Sequence, residues 1–355
     1  MADLKRALQA FRGRKVLVTG HTGFKGSWLA FWLHQIGAEV YGLSRDVPTE
    51  PSHFALLKLR DIIEHGDVDL RDWPLVKRSL TRIQPEIVFH LAAQATVRRS
   101  YLDPKETFDT NVGGAVNLLE AIRGTPSVRA LVFITSDKCY RNVETARGYR
   151  EDDPLGGFDP YGCSKASAEH VLSAYQHSFF NHRPNFGAAS TRAGNVIGGG
   201  DWASDRIVPD CIRALGIGNP VVIRSPRATR PWQHVLEPLS GYLLLGAALL
   251  ENPRDSSGSW NFGPRADSSE TVEHLVQKAV DVWGSGSYEI EESNPRLHEP
   301  TLLHLDSSKA EAGLGWMTRW TFDETLEHTV GWYKAWANGD DIRVLTARQI
   351  SDYVG

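Results

Sequence analysis

Short apolar runs alternate with stretches of helical periodicity through the first half of the chain. The runs Val16–Thr19, Glu39–Leu43, Ile87–Leu91, Ala130–Thr135 and Gly187–Thr191 predict strands. Helices are predicted between them at Gly26–Gln35, Leu75–Ile83, Pro104–Arg123 and Ser164–Phe179. Continuously apolar strands, separated by helices, imply a parallel sheet covered on both faces. The expected class is α/β with a doubly wound parallel sheet. After Val196 the alternation breaks. Gly198-Gly199-Gly200-Asp201 predicts a loop, Val221–Ile223 a short strand and Pro226–Pro231 an arginine-rich loop. A helix over Pro238–Leu250, a strand around Trp260–Phe262 and a closing helix over Phe322–Ala337 follow. This pattern divides the chain into residues 1–196 and a smaller C-terminal α/β lobe, 197–355, that closes over a substrate.

Length and composition narrow the function. The chain has 355 residues, which suggests roughly two domains, and 41% hydrophobic residues can fill their cores. A formal charge of −4 gives no basic excess for nucleic acid. An anionic ligand must therefore be held by local arginines and helix ends rather than by a global field. Cys139, Cys163 and Cys211 lie far apart, so neither a disulfide framework nor a metal site is expected, and a cytoplasmic setting fits. Met1 to Arg14 carries charges throughout and lacks the apolar core of a signal peptide. The greasiest late segment, Gly241–Leu250, is too short to span a bilayer and reads as a core helix, so no membrane association is expected.

Two motifs carry chemistry. Thr19-Gly20-His21-Thr22-Gly23-Phe24-Lys25-Gly26 follows a predicted strand and opens a predicted helix. Glycines in such a turn let the backbone approach a dinucleotide pyrophosphate, and the helix N-terminus supplies free N–H groups and a partial positive charge. The sheet is thus expected to be of Rossmann type. Far downstream, Tyr161-Gly162-Cys163-Ser164-Lys165 places a phenol and an ammonium one helical turn apart. Taken singly, the first is often only a tight loop and the second a solvated pair. Their order and separation make the joint signal specific.

These motifs resemble the extended branch of the short-chain dehydrogenase/reductase superfamily, from about Lys15 to about Trp332. Further marks of that branch are Asp69-Leu70, His90-Leu91-Ala92-Ala93-Gln94, Thr110-Asn111-Val112 and Asn195. The likeness is closest to the nucleotide-sugar 4,6-dehydratases, because Thr135-Ser136-Asp137-Lys138 stands where those acting on dTDP-sugars carry Ser-Thr-Asp-Glu. The lysine, with His21 and Lys25 in the glycine turn, brings the members acting on CDP-glucose nearest. The resemblance implies deoxysugar biosynthesis of the O-antigen type, a CDP-glucose substrate and a homo-oligomer paired through the helices Pro104–Arg123 and Ser164–Phe179. It places Gly20, Gly23, Phe24, Lys25, Gly26, Ser44, Arg45, Asp69, Leu70, Leu91, Ala92, Ala93, Thr110, Tyr161 and Lys165 at the cofactor.

The chemistry accounts for the residue types. A hexose cannot lose water across C5 and C6 until C4 is a ketone, because only then is the C5 hydrogen acidic. Tyr161 is the expected base for the C4 hydroxyl. A free phenol titrates near ~10, so it needs a neighbouring cation, and Lys165 is the candidate. Ser136 is expected to hydrogen-bond the C4 oxygen, and Asp137 to act as acid at the C6 hydroxyl. Lys138 occupies the position of the C5 base, either as the base itself or as an electrostatic aid to the enolate. On the substrate side, Asn195 is expected at the sugar diphosphate. Arg206 and Arg230 suit its phosphates through planar guanidinium forks. Arg224 and Arg227 read as solvated loop charges, Cys163 as a packing residue, Trp28 and Trp32 as a buried stripe, and His90 as a core histidine.

The cofactor signals conflict. The second strand ends in Leu43-Ser44-Arg45, where an NAD site usually carries an acid for the ribose hydroxyls. Ser-Arg suits a 2′-phosphate and hence NADP. The resemblance implies NAD, regenerated in each turnover, and NAD is expected, held weakly. An epimerase or reductase of the same fold would not need Asp137, and a non-catalytic nucleotide sensor would not need the Ser136/Tyr161/Lys165 set.

Overall fold

Seven parallel strands form the centre of the computed structural model, which describes residues 4–145, 147–264, 269–291 and 303–355. They are β1 (Lys15–Thr19), β2 (Glu39–Ser44), β3 (Glu64–Asp67), β4 (Ile87–His90), β5 (Ala130–Ile134), β6 (Gly187–Arg192) and β7 (Gly258–Asn261). Their order across the sheet is β7-β6-β5-β4-β1-β2-β3. The order reverses between β1 and β4, and ligands of such sheets bind at the carboxyl ends beside that switch point.

Period-two alternation sends the strand residues into two cores. Val16 and Val18 of β1 and Phe89 of β4 face one side, where α1 (Phe24–Gln35) covers them with Trp28, Phe31 and Trp32. Leu17, Val88, Leu131 and Phe133 face the other, under α2 (Trp73–Ile83), α3 (Gly114–Arg123) and α4 (Pro160–Ser178). Trp28 and Trp32 are fully buried, as their helical spacing predicts. The predicted helix over 104–123 is interrupted by a wide turn at Asp109–Gly113, and such insertions in helices often mark functional positions.

Residues on both sides of 196/197 contribute to the central sheet. β7 pairs with β6 in parallel, and α5 (Leu236–Glu251) supplies Leu239, Leu243 and Leu245 to the core that covers β1 and β5. Without β7 the β6 edge would expose a row of unpaired backbone groups. Two expectations need correcting. The arginine-rich stretch is not all loop, since Thr229–Pro231 pairs antiparallel with Ser269–Thr271. β3 was not among the predicted strands. Its sequence Glu64-His65-Gly66-Asp67 is polar, which an edge position permits. The chain closes with α6 (Phe322–Ala337), which begins on a capping box between Thr321 and Glu324, and α7 (Ile342–Val354). Among the described residues, no helix is long and apolar enough to cross a membrane.

Candidate active site

The glycine turn joins β1 to α1 under tight steric control. Gly20 has φ +74°, and a Cβ there would lie 2.6 Å from the Ala92 nitrogen. A Cβ on Gly26 would lie 2.1 Å from the Gly20 carbonyl oxygen. Only glycine fits either position. Gly23 is the N-cap of α1 and provides no side-chain cap, so the first amide groups of the helix are left for an anion. Leu91, Ala92 and Ala93 leave β4 against this turn, and the Ala92 nitrogen donates to Thr19 Oγ1 at 3.3 Å. The Phe24 ring packs against Gly198. The hydroxyl oxygen of Thr110, in the wide helical turn, is buried without a hydrogen-bond partner, a polar group of the kind that a ligand can satisfy.

At the end of β2, Ser44 Oγ is 3.0 Å from His21 Nδ1 and accepts from the Thr22 nitrogen at 3.4 Å. His21 is pushed down to about 3 by burial and by neighbouring His65. Arg45 does not stand free for a 2′-phosphate, as the dipeptide alone suggested. It pairs with Asp46 and with Glu106, each at 3.0 Å. Asp69 likewise is engaged by Arg71 at 2.6 Å, which holds its carboxyl below the usual range. The Leu70 side chain packs on Gly114, and its carbonyl accepts from Asn117 at 2.8 Å.

The chemical cluster forms where β5 ends. Ser136 Oγ donates to Asp137 Oδ1 at 2.8 Å and accepts from the Lys138 nitrogen at 3.2 Å, shaping the turn Asp137–Cys139. Asp137 Oδ1 also accepts from the Lys138 nitrogen at 2.9 Å, and the Lys138 side chain is half-buried. The other carboxylate oxygen lies on the Gly194 backbone, 1.8 Å from where a Cβ would stand, so the Asp137 orientation depends on that glycine.

Tyr161, in the first turn of α4, lies beside Ser136. Burial pushes its phenol up to about 12, against the opposing pull of Ser136 and Arg206. Lys165, one turn on, donates to the Ile134 carbonyl at 3.5 Å, and burial pushes it down to about 8, against the opposing effect of Cys139 and Glu169. Arg206 adds positive charge that favours the tyrosinate. It is paired with Asp201 at 2.7 Å.

Lys25 lies on the cluster's side of the glycine turn. Its ammonium donates to the Tyr242 hydroxyl of α5 at 3.4 Å, and burial, then Lys165 and Arg206, push it down to about 8. Asn195 sits just after β6 with φ +52°, its carbonyl accepting from Gln233 at 3.2 Å. Arg230 stands on the separate Thr229–Pro231 ribbon, half-buried, opposite Glu270. Arg224 and Arg227 are exposed, as expected of loop charges. His90 is buried and bonds Thr19 Oγ1 at 2.8 Å.

Sequence reasoning missed the brace behind this cluster. Glu169, one turn beyond Lys165, accepts from Arg192 Nε and Nη2 at 3.0 Å each, from Ser190 at 2.7 Å and from Thr135 at 2.5 Å. Burial alone would raise its carboxyl, but the Arg192 hydrogen bonds hold it below the usual range. Arg192 Nη1 also donates to the Tyr140 hydroxyl at 2.7 Å. The one visible signal was an acid on the same helical face as Tyr161 and Lys165, at spacings of eight and four residues.

A family model described as GDP-mannose 4,6 dehydratase matches residues 17–329. The chain is 49% identical over 348 residues to the CDP-glucose 4,6-dehydratase of Salmonella typhimurium, covering 97% of each protein. The structure of UDP-glucose 4-epimerase from Thermus thermophilus, a complex with NAD, superposes with a TM-score of 0.77 at 28% identity, over 90% of this chain and 99% of that one. The dTDP-glucose 4,6-dehydratase of Bacillus anthracis, also solved with NAD, gives a TM-score of 0.76 over 91% of this chain and 97% of that one. At 22% identity, that likeness concerns the fold alone.

Proposed function

The chain belongs to the GDP-mannose 4,6-dehydratase family, and on that premise we propose that it is a lyase converting CDP-glucose to CDP-4-keto-6-deoxyglucose and water. The observation that carries this reading is the contact of Ser136 with both Asp137 and Tyr161 at the carboxyl end of β5. An acid beside the tyrosine that takes the C4 proton is what loss of water at C6 requires, and what a simple alcohol dehydrogenase does not need.

The residues fit a bound dinucleotide. The glycine turn leaves no room for a Cβ at Gly20 or Gly26, the amides of α1 are uncapped by side chains, and the Thr110 hydroxyl lacks a partner. Gly20, Gly23, Phe24 and Gly26 would hold the pyrophosphate. Ser44, Arg45, Asp69 and Leu70 would line the adenosine, and Leu91, Ala92, Ala93 and Thr110 the rest of the cofactor. A bound NAD would supply the acceptor for the C4 hydride and its return to C6, so that no reductant would be consumed.

Tyr161 takes the proton of the C4 hydroxyl while Ser136 holds that oxygen. Arg206 is a resident cation that favours the tyrosinate, and a bound cofactor's positive ring would add to it. Lys165, bonded to the Ile134 carbonyl at the end of β5, and Lys25 add positive charge to the cofactor pocket. Asp137 delivers a proton to the departing C6 hydroxyl. Lys138 adjoins it, placed either to remove the C5 proton or to stabilise the enolate. Asn195, Arg206 and Arg230 hold the sugar diphosphate, and Arg206 and Arg230 give residues 197–355 a role mainly at the nucleotide sugar.

The same reading extends to a cytoplasmic homo-oligomer with Val116 and Phe179 exposed on the paired helical face, and to deoxysugar biosynthesis of the O-antigen type. Incubation with CDP-, dTDP-, UDP- and GDP-hexoses plus NAD tests it. A 4-keto-6-deoxy product from CDP-glucose supports the reading, and turnover of another nucleotide sugar alone would reassign the substrate.

A further inference from the structure

A file of hydrogen bonds runs from the end of β2 to the surface. Ser44 Oγ lies 3.0 Å from His21 Nδ1, His21 Nε2 lies 2.7 Å from His65 Nδ1, and His65 Nε2 lies 2.8 Å from Asp67 Oδ1. Ser44 and His21 are buried, whereas the Asp67 carboxylate is exposed. The file is built into the sheet, because a Cβ on Gly42 would lie 2.3 Å from the His21 ring.

The carboxylate sets the direction of the file. An ionised carboxylate only accepts, so His65 Nε2 carries the hydrogen. A neutral imidazole has one N–H, so His65 Nδ1 accepts, and the hydrogen between the rings belongs to His21 Nε2. His21 Nδ1 then accepts in turn, and the Ser44 hydroxyl donates to it. The Thr22 nitrogen already occupies one Ser44 lone pair. With both imidazoles neutral, the hydroxyl's hydrogen points inward and a lone pair is left at the strand end. Ser44 is thereby an acceptor, the role that a carboxylate fills in many dinucleotide sites. A ribose 2′-hydroxyl can donate to that lone pair, whereas a 2′-phosphate has only acceptors to offer. Arg45, the cation that would welcome the phosphate, is held by Asp46 and Glu106.

We propose that the Asp67–His65–His21 file fixes Ser44 as an acceptor and, with Glu106 restraining Arg45, makes the ribose site select NAD over NADP. The inference rests on the dinucleotide reading of the glycine turn and names the residues that discriminate there. It explains how Ser-Arg can follow β2 in an NAD site.

The test is calorimetric titration of the full chain with NAD and NADP at pH 8, without sugar, on variants whose melting profile is intact. Ser44→Ala should weaken NAD about five- to tenfold, the range of one lost hydrogen bond, and leave NADP unchanged. His65→Leu should reproduce that loss, and the double variant should lose no more, because both act through one hydroxyl. Asp67→Ala, on the surface, should lower the NAD/NADP ratio without touching the core. Glu106→Gln should tighten NADP several-fold by freeing Arg45. A ratio unchanged in His65→Leu and Asp67→Ala, or losses that add in the double variant, would overturn the file while leaving the NAD reading intact. A native chain that binds NADP more tightly, or neither dinucleotide, would overturn that reading itself.

Discussion

Glu169 of α4 and Arg192 of β6 form a buried two-armed ion pair, with both nitrogen–oxygen distances at 3.0 Å. The pair locks the helix that carries Tyr161 and Lys165 to the strand beside β5, and Thr135 completes the lock one residue before Ser136. Removing one partner of such a pair leaves an uncompensated buried charge. Glu169→Ala should therefore destabilise the protein by about 3–5 kcal/mol, read from urea unfolding. A loss under ~1 kcal/mol would mean that Arg192 finds another partner or water.

Tyr161→Phe should lower turnover by about 10²–10⁴ while nucleotide-sugar binding survives within a few-fold. The substitution deletes the proton acceptor, but leaves Asn195, Arg206 and Arg230 in place. Steady-state kinetics beside equilibrium binding separates the two effects. Near-normal turnover would remove Tyr161 from the chemistry.

Gly194→Ala should impair water loss although residue 194 bears no functional group. Its Cβ would stand 1.8 Å from Asp137 Oδ2, so the carboxylate must swing away. Oxidised sugar that still carries its C6 hydroxyl should accumulate, as it should in Asp137→Asn. A far-ultraviolet circular dichroism spectrum like that of the native chain would show that the fold persists. Unchanged product formation would mean that Asp137 is not the acid in this position.

Acid should weaken the fold early. His21, His53 and His90 are each pushed from 6.5 to about 3, burial being the leading cause. Each is neutral when folded and binds a proton on unfolding, so the unfolded chain holds more protons between those values. The stability contributed by neutral burial is complete above 6.5 and is lost as pH falls toward 3. Urea unfolding at pH 8, 6.5 and 5.5 should show a small decline in the first interval and a steeper one in the last, both shallower in His53→Asn. A flat response would contradict the burial of these rings as neutral groups.

Much of this was legible in the sequence, for physical reasons that differ between elements. β1, β4 and β5 are apolar on both sides because helices cover both faces, and such strands announce themselves. β3 does not, because an edge strand can remain polar. β7 could be seen as a strand but not placed. Nothing local in Gly258-Ser259-Trp260-Asn261 says that it returns to the first sheet. The glycine turn and the Tyr161/Lys165 pair were readable because backbone approach and helical spacing constrain residue types. The charge that Arg206 adds near Tyr161 was not, because it comes from a segment distant in sequence. The Ser44-Arg45 ambiguity was likewise local, because Glu106 and His65 belong to other elements.

The central claim is that one hydride leaves C4 and returns to C6 while water departs. CDP-glucose carrying deuterium at C4, turned over with NAD and analysed by mass and NMR spectroscopy, tests it most directly. The account predicts CDP-4-keto-6-deoxyglucose with the deuterium in its C6 methyl group and no accumulation of reduced cofactor. Reduced cofactor formed in equal amount to a 4-keto sugar that keeps its C6 hydroxyl, or deuterium returned to C4 with inverted configuration, would contradict it.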